Sequence, residues 1–190
     1  MDINLKEDSI VLSKWIENRI SSYDPDCRIG PGDNGAPISS IEFGFEYYQY
    51  GWVALVFDTR PGARPDGEWN SYIEANALEF SSWSNASEKL DNEQTIEILL
   101  PTDIKVEIDP EGNISGNFEM IEDGEDYIAH WIGEMLKSSL LHARDSGLLN
   151  MLPLAEDCVI GVEHHDGAYG WPGYENLDTI GRAKNDRHDT

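Results

Sequence analysis

The sequence is poor in positive charge and in cysteine, and it contains no long apolar run. Its 190 residues include 13 Lys and Arg but 37 Asp and Glu, which gives a formal net charge of −24. Proteins that bind nucleic acid or an anionic membrane surface present clusters of Lys and Arg to the phosphates, so this composition argues against both classes. Because no stretch approaches the ~18 consecutive apolar residues of a membrane-spanning helix, we expect no such helix.

The scarcity of cysteine argues against a disulfide-stabilised fold. Cys27 and Cys158 lie far apart, and neither belongs to a CxxC or Cys/His pattern of the kind that binds zinc. The first residues, Met1 to Asp8, have neither the basic segment nor the apolar segment of a signal peptide. We therefore expect a cytoplasmic protein with two free thiols. A disulfide between the two cysteines is the alternative.

What the sequence does contain is typical of one globular domain. Hydrophobic residues make up 39% of the chain and aromatic residues 10%, which is enough to build a core in a chain of this length. The last residues, 175–190, hold few large apolar side chains and are expected to form a flexible tail. We therefore assign a single domain to residues 1–174. The tail contributes only −1, so nearly all of the negative charge belongs to the domain.

Apolar periodicity predicts one helix near the start of the domain and a longer one in its second half. The first covers about residues 8–21, with Asp8 or Ser9 as its N-cap. The second covers about residues 124–146, and Gly147 is expected to end it in a left-handed conformation. The two apolar stripes consist of Leu12, Trp15, Ile16 and Ile20 in the first helix and Tyr127, Ile128, Trp131, Ile132, Met135, Leu136 and Leu140 in the second.

Strand patterns fill most of the region between the helices. Residues 41–48 alternate between apolar and polar side chains, which predicts a half-buried strand. Residues 52–57 are apolar on both faces, as in a central strand. Further strands are predicted over 95–100, over 105–108 and 114–118 as a hairpin, and over 158–163, while residues 81–92 are a loop or a short helix. This order predicts an α+β fold, in which the two helices pack on a mainly antiparallel sheet of about five to seven strands.

The densest acidic cluster lies at the start of the long helix. It consists of Glu119, Glu122, Asp123, Glu125 and Asp126. One interpretation is a recognition patch for the Lys and Arg side chains of a partner. The other is helix capping, because carboxylates at a helix N-terminus satisfy free backbone N–H groups and the macrodipole. The two interpretations are compatible, and both stay open.

The segment Glu163-His164-His165-Asp166 offers the side-chain types that bind transition metals. In an extended chain Glu163 and His165 share one face and His164 and Asp166 share the other, so neither face provides three ligands. We interpret the segment as a polar loop at the end of a strand and expect neither a metal nor a cofactor. A metal site completed by distant residues, in a metal-assisted hydrolase, is the alternative.

A cluster of aromatic residues follows the last predicted strand. Tyr169, Trp171 and Tyr174 are interleaved there with glycine and proline. Aromatic side chains on a loop of small residues supply the rigid contact area found at protein interfaces, so a peptide-binding module is a further alternative. The other interpretation is that these side chains cover the edge of the sheet core.

Several features together resemble a known group of proteins. They are the N-terminal amphipathic helix, the segment Tyr50-Gly51-Trp52-Val53-Ala54-Leu55-Val56-Phe57-Asp58, Trp83, the long helix and Glu163-His164-His165-Asp166-Gly167. Across residues 8–170 this arrangement is similar to small acidic immunity proteins encoded beside bacterial polymorphic toxins, including the DUF4303-like group. The resemblance implies a cytoplasmic inhibitor that binds and blocks a cognate toxin, and it assigns no role to any single residue.

Taken together, these features favour a non-enzymatic immunity-type inhibitor of a basic bacterial toxin, for example a nuclease. A nuclease presents a cationic cleft to phosphates, and an acidic protein would compete for that cleft through the same electrostatics. Catalytic motifs such as G-x-S-x-G, H-E-x-x-H and the phosphate-binding loop are missing, so we expect no catalytic residues. The candidate partner-binding residues are Glu119, Glu122, Asp123, Glu125, Asp126, Glu163, Asp166, Tyr169, Trp171 and Tyr174.

Overall fold

The computed structural model describes residues 1–24, 35–47, 51–60, 77–116, 127–164 and 174–180. Within these residues the chain forms three α-helices, a short 3-10 helix and two β-sheets, which confirms the predicted α+β class. The helices are α1 (Leu5–Ser21), α2 (Ser81–Asp91) and α3 (Tyr127–Asp145), followed by the 3-10 helix (Leu148–Met151). The strands are β1 (Ile3–Asn4), β2 (Ile38–Glu46), β3 (Trp52–Asp58), β4 (Ala77–Glu79), β5 (Ile96–Leu99), β6 (Lys105–Ile108), β7 (Ile114–Gly116), β8 (Leu154–His164) and β9 (Tyr174–Ile180).

The larger sheet has the strand order β4-β3-β2-β8-β9. β2 and β8 run parallel, and the other three pairings are antiparallel. β3 is buried along its whole length, as the apolar run over 52–57 predicts. The prediction of a half-buried strand over 41–48 is wrong, because β2 lies in the middle of the sheet and every residue from Ser40 to Glu46 is buried. Both faces of the sheet are therefore covered at its centre.

The smaller sheet has the strand order β1-β5-β6-β7, with β1 parallel to β5. Burial alternates along β5 and β6, so one face joins the core and the other meets solvent. The predicted hairpin is confirmed: β6 pairs with β7, and in the turn Asp109 Oδ1 accepts a hydrogen bond from Asn113 N at 2.8 Å. Antiparallel pairings predominate, as predicted, but the strands divide between two sheets instead of forming one.

Helix α1 begins earlier than its apolar stripe suggests. Asn4 is the N-cap, and its side chain accepts a hydrogen bond from Glu7 N at 3.1 Å. The prediction of Asp8 or Ser9 as the cap is therefore wrong. Asp8 instead accepts a hydrogen bond from Trp83 Nε1 at 2.8 Å, which links α1 to α2. The segment over 81–92, for which a loop and a short helix are the two alternatives, forms the helix α2.

The main core lies between the sheets and the helices. The stripes predicted for α1 and α3 supply much of it, and α1 and α3 also contact each other. The largest fully buried side chains include Trp83 on α2 and Phe43, Phe45 and Phe57 on the larger sheet. A second, smaller cluster on the other face of β3 contains Trp52, Ala54 and Val56.

Two sequence predictions concern the last part of the chain: the glycine that ends α3 and the flexible tail. Gly147 follows α3 with a φ of 79°, which confirms the left-handed terminator. The prediction of a flexible tail from residue 175 is wrong for residues 175–180, because β9 pairs antiparallel with β8 and its Leu177 and Ile180 pack against the core. Residues 181–190 lie outside the described part of the chain. Within that part, the helices are too short or too polar to cross a membrane.

Candidate functional site

Most of the predicted partner-binding residues lie outside the described residues. These are Glu119, Glu122, Asp123, Glu125, Asp126, Asp166, Tyr169 and Trp171. The acidic patch and the aromatic loop therefore stay predictions, and so does peptide binding by that loop. Of the remaining two, the structure places Glu163 on β8 directly opposite Tyr174 on β9. The prediction that Tyr174 lies in a loop is therefore wrong, because its backbone pairs with β8 as the first residue of β9. The next residue of the metal-like segment, His164, ends β8 opposite Phe45 of β2.

Glu163 belongs to a group of polar residues on one face of the larger sheet. Side chains two residues apart on a strand share a face, so Ser40, Glu42 and Glu46 point to the same side of β2. The strand register places Asp58 of β3 opposite Ser40 and Glu163 of β8 opposite Gly44 on that side. We call these five residues (Ser40, Glu42, Glu46, Asp58 and Glu163) the polar sheet face.

Four of the five residues of the polar sheet face are buried, which is unusual for side chains of this kind, and Glu163 is partly buried. Ser40 and Glu42 each expose 1% of their surface, and Glu46 and Asp58 are also buried. A buried carboxylate is costly unless it is paired or protonated. Asp58 is paired: its carboxylate accepts hydrogen bonds from Arg60 N at 2.7 Å and from Arg60 Nη2 at 2.9 Å. This pairing stabilises the end of β3, and it gives Asp58 a structural role.

The polar sheet face combines carboxylates with a hydroxyl, which is a donor set that hard cations accept. Among the residues that the structure describes, however, no three His, Cys, Asp or Glu side chains converge in a way that could hold a metal ion.

Alternation along residues 41–48 indicates Glu42 and Glu46 as polar positions on one strand face. The neighbouring run over 52–57 is the signal that could have indicated their burial. A strand that is apolar on both faces implies that both faces of the sheet are covered, and therefore that the polar positions of β2 are covered as well.

Cys158 lies in β8 and is a buried, free thiol. Its burial raises the pKa of the thiol to about 12, and the negative charges of Asp157 and Glu42 contribute to the increase. A thiol with this pKa is almost entirely protonated at neutral pH, and the thiolate is the nucleophilic form. Cys158 is therefore a core residue and is unsuited to nucleophilic catalysis.

A second candidate site is a cleft of about 440 Å³ between α1, α3 and the 3-10 helix. We call it the helix cleft. Its apolar side is formed by Ile16, Ala143, Leu148 and Met151, and its polar side by Ser13, Lys14, Glu17, Ser139, His142 and Ser146. Met151 exposes 62% of its surface, the largest exposed fraction among the large hydrophobic side chains of the described residues. Sequence reasoning missed this cleft, because its residues are ordinary polar positions beside two helical stripes.

Charge at the surface is strongly one-sided, because the sequence has 37 Asp and Glu but only 13 Lys and Arg. Among the described residues, five Lys and Arg side chains form ion pairs with carboxylates: Lys6 with Asp103, Arg60 with Asp58, Lys89 with Asp2, Lys137 with Glu134, and Arg144 with Asp145 and Asp178. Many other carboxylates are exposed, among them Glu7, Glu17, Glu88, Glu93, Glu107, Glu111 and Glu156. The field that a partner meets is therefore negative.

Comparison of the chain with protein-family models, with curated proteins and with solved structures finds no match. The likeness to immunity proteins therefore remains a prediction from the sequence, and the geometry and charge of this molecule are the main guide to its function.

Proposed function

We propose that the protein is a non-enzymatic, cytoplasmic inhibitor that binds and neutralises a basic bacterial toxin, for example a nuclease. The observation that carries the proposal is the net charge of −24 of the chain, together with the ion pairs that engage five of the Lys and Arg side chains in its described part. A surface of this kind disfavours nucleic acid and favours a cationic protein. The resemblance to immunity proteins supports the same class of partner.

The charge density is high enough to matter at any interface. With 10532 Å² of accessible surface, a footprint of ~800 Å² carries on average roughly two net negative charges. Such a field speeds the encounter with a basic partner, commonly by ~10–1,000-fold at low salt. Affinity itself would depend on buried contacts at the interface, since electrostatic complementarity acts mainly on association rate and partner choice.

The direct test is the association of the purified protein with a basic toxin domain encoded beside its gene. We expect a complex whose association rate falls at least ~10-fold between low and high salt while its dissociation rate changes much less. Inhibition of the toxin should track the fraction bound. No detectable complex, or an association rate that is independent of salt, would contradict the proposal.

The alternative that the sequence suggests is metal-assisted hydrolysis, although no three described His, Cys, Asp or Glu side chains converge in a way that could hold a metal ion. Glu163, from the metal-like segment, lies on the same sheet face as Glu42 and Glu46. Elemental analysis of the purified protein separates this function from the first. Stoichiometric zinc or manganese that is lost in a His164→Ala/His165→Ala variant would favour the hydrolase, whereas retention of the metal would place its ligands elsewhere.

A further inference from the structure

We propose that the helix cleft receives a guanidinium or ammonium side chain of the basic partner. This inference rests on the proposed function, and it names the surface that would perform it. Three features of the cleft carry it: the hydrogen bonds of its serines, the helix end that borders it, and its apolar side.

The serine hydroxyl groups of the cleft already donate their protons in hydrogen bonds to the protein backbone. Ser13, Ser139 and Ser146 each donate a hydrogen bond to a backbone carbonyl oxygen of the preceding turn, at 2.8, 2.8 and 3.1 Å. A hydroxyl has one proton and two lone pairs, so each of these oxygens can offer a ligand only an acceptor. The carboxylate of Glu17 is likewise an acceptor. These three hydroxyls and the Glu17 carboxylate therefore match a ligand group that is rich in hydrogen-bond donors.

The C-terminal end of α3 adds negative potential at the same place. The helix ends at Asp145, and both Ser146 and Gly147, which follow it, line the cleft. The last carbonyl groups of a helix carry the negative end of its dipole, which stabilises a nearby cation and disfavours an anion. This end of the cleft therefore favours a cationic group over a phosphate or carboxylate.

The apolar side of the cleft suits the stem of a long basic side chain. Ile16 and Ala143 are buried beneath it, while Leu148 and the exposed Met151 stand at the 3-10 helix. Lys and Arg place their methylene groups against apolar surface and keep the charged end among acceptors. A thioether is flexible and polarisable, and it adapts to such a stem. At about 440 Å³ the cleft lies within the usual ~300–1,000 Å³ range of ligand pockets.

Two basic side chains, Lys14 and His142, also line the cleft and are exposed. Both oppose the entry of a cation when they are charged. Their presence gives the proposal a directional prediction: removal of the Lys14 charge should strengthen binding, and removal of the Glu17 charge should weaken it. A general effect of net charge on a cationic peptide would have the same two signs, so the test also needs a carboxylate outside the cleft as a control.

The probe is an arginine tripeptide blocked at both ends, titrated into the ¹⁵N-labelled full chain and followed by NMR. We expect saturable shifts of the amides of Ser13, Glu17, Ser146 and Leu148. Replacing arginine by citrulline, a neutral group of nearly the same shape, should abolish them. Glu17→Gln should weaken binding of the arginine tripeptide about two- to five-fold, and Lys14→Gln should tighten it about two-fold, as expected for partly exposed charge pairs.

Glu88→Gln is the matched control, because it removes one exposed carboxylate from α2 and lies outside the cleft. It should leave the affinity for the tripeptide almost unchanged. Equal effects of Glu17→Gln and Glu88→Gln would show a non-specific response to net charge and would overturn the proposal. Shifts that cluster away from the helix cleft, or equal shifts with the citrulline peptide, would overturn it as well.

The two proposals fail in different ways. If a basic toxin domain binds with a salt-dependent rate but Glu17→Gln and Lys14→Gln leave its affinity unchanged, the cleft is not the docking site and the proposed function stands. If the arginine tripeptide saturates the cleft but the basic toxin domain does not bind, the cleft proposal is supported for the side chain alone and the proposed function fails.

Discussion

Asp8 shows how strongly one contact can depend on protonation. It lies at the junction of α1 and α2, where it accepts the hydrogen bond from Trp83 Nε1. Burial raises the pKa of the Asp8 carboxyl to about 6, although the hydrogen bond from Trp83 opposes the increase. The negative charge of Glu7 acts in the same direction as burial. The folded protein therefore holds the Asp8 proton more tightly than the unfolded chain does.

The raised pKa of Asp8 makes the folded protein less stable as the pH rises. Because the pKa of Asp8 is raised from 3.8 to about 6 on folding, its contribution to stability is fully present below 3.8 and is lost as the pH rises through 6. Asp8→Asn keeps an acceptor for Trp83 without the buried charge. We expect it to raise the melting temperature at about pH 8 by roughly 2–4 °C, the equivalent of about 1 kcal/mol in a domain of this size.

Thermal denaturation at two pH values checks this prediction. The advantage of Asp8→Asn should shrink towards zero at about pH 4, where the wild-type carboxyl is protonated in the folded state. Glu156→Gln, which removes an exposed carboxylate from β8, is the control and should not reproduce the pattern. A melting temperature of Asp8→Asn that is lower than wild type at high pH would contradict the assignment of a net desolvation cost to Asp8.

Gly51 provides a second prediction at the scale of single residues. It precedes β3 with a φ of 59°, and a Cβ atom at this position would lie 2.4 Å from the carbonyl oxygen of Phe80. Gly51→Ala therefore adds a clash with the backbone to the ~1–2 kcal/mol cost of a left-handed non-glycine residue. We expect a loss of at least ~3 kcal/mol in the free energy of unfolding, measured with urea.

Gly112 is the matched control for this substitution. It also has a positive φ, of 82°, but it lies in the hairpin turn, where a Cβ atom would have no neighbour within 4 Å. Gly112→Ala should therefore lower the free energy of unfolding only by the ~1–2 kcal/mol that a non-glycine residue costs in a left-handed conformation. Equal losses in the two variants would mean that the close approach of Gly51 to the start of α2 does not contribute to stability.

At the scale of elements, the sequence predicts those parts of the fold in which local pattern and tertiary packing agree. The stripes of α1 and α3, the buried β3 and the hairpin of β6 and β7 are such parts. β1 could not be predicted, because a two-residue strand has no period and forms only by pairing with β5. β9 is similar: its sequence is largely polar, and its backbone pairing with β8 fixes it.

The two candidate sites also depend on tertiary packing that local sequence pattern does not show. Glu42 and Glu46 stand at alternating positions of one strand, but two carboxylates among 37 acidic residues carry little information before the neighbouring strand is known. The helix cleft could not be predicted, because it joins residues 13–17 to residues 139–151. No local pattern encodes contacts across that separation in the chain.

The role of β9 leads to a prediction about truncation. Removing residues 174–190 would uncover the edge of β8, expose apolar surface beneath Leu177 and Ile180, and break the ion pair between Arg144 Nη1 and Asp178 Oδ2. We expect a loss of at least ~2 kcal/mol in unfolding free energy and a tendency to associate through the free strand edge. Removing residues 181–190 is the control, because it keeps β9. Similar urea midpoints for the two truncations would contradict a stabilising role for this strand.

At the scale of the whole molecule, the net charge of −24 acts on stability as well as on partners. Self-repulsion among the carboxylates destabilises the compact state, while the exposed ion pairs each contribute at most ~1 kcal/mol. Salt screens both effects, and the repulsion is the larger because carboxylates outnumber cations 37 to 13. We therefore expect the melting temperature to rise by several degrees between ~0.01 and ~0.3 M NaCl, measured at constant neutral pH.

The same screening should have the opposite effect on binding, and this contrast makes the prediction specific. Salt that stabilises the isolated protein should slow its association with a basic partner, because both responses come from one negative field. Sodium chloride and potassium chloride at equal ionic strength should give the same increase in melting temperature, which separates screening from binding of a particular cation. A melting temperature that falls with salt would mean that the internal ion pairs, rather than self-repulsion, dominate the effect of salt on stability, and it would contradict this prediction.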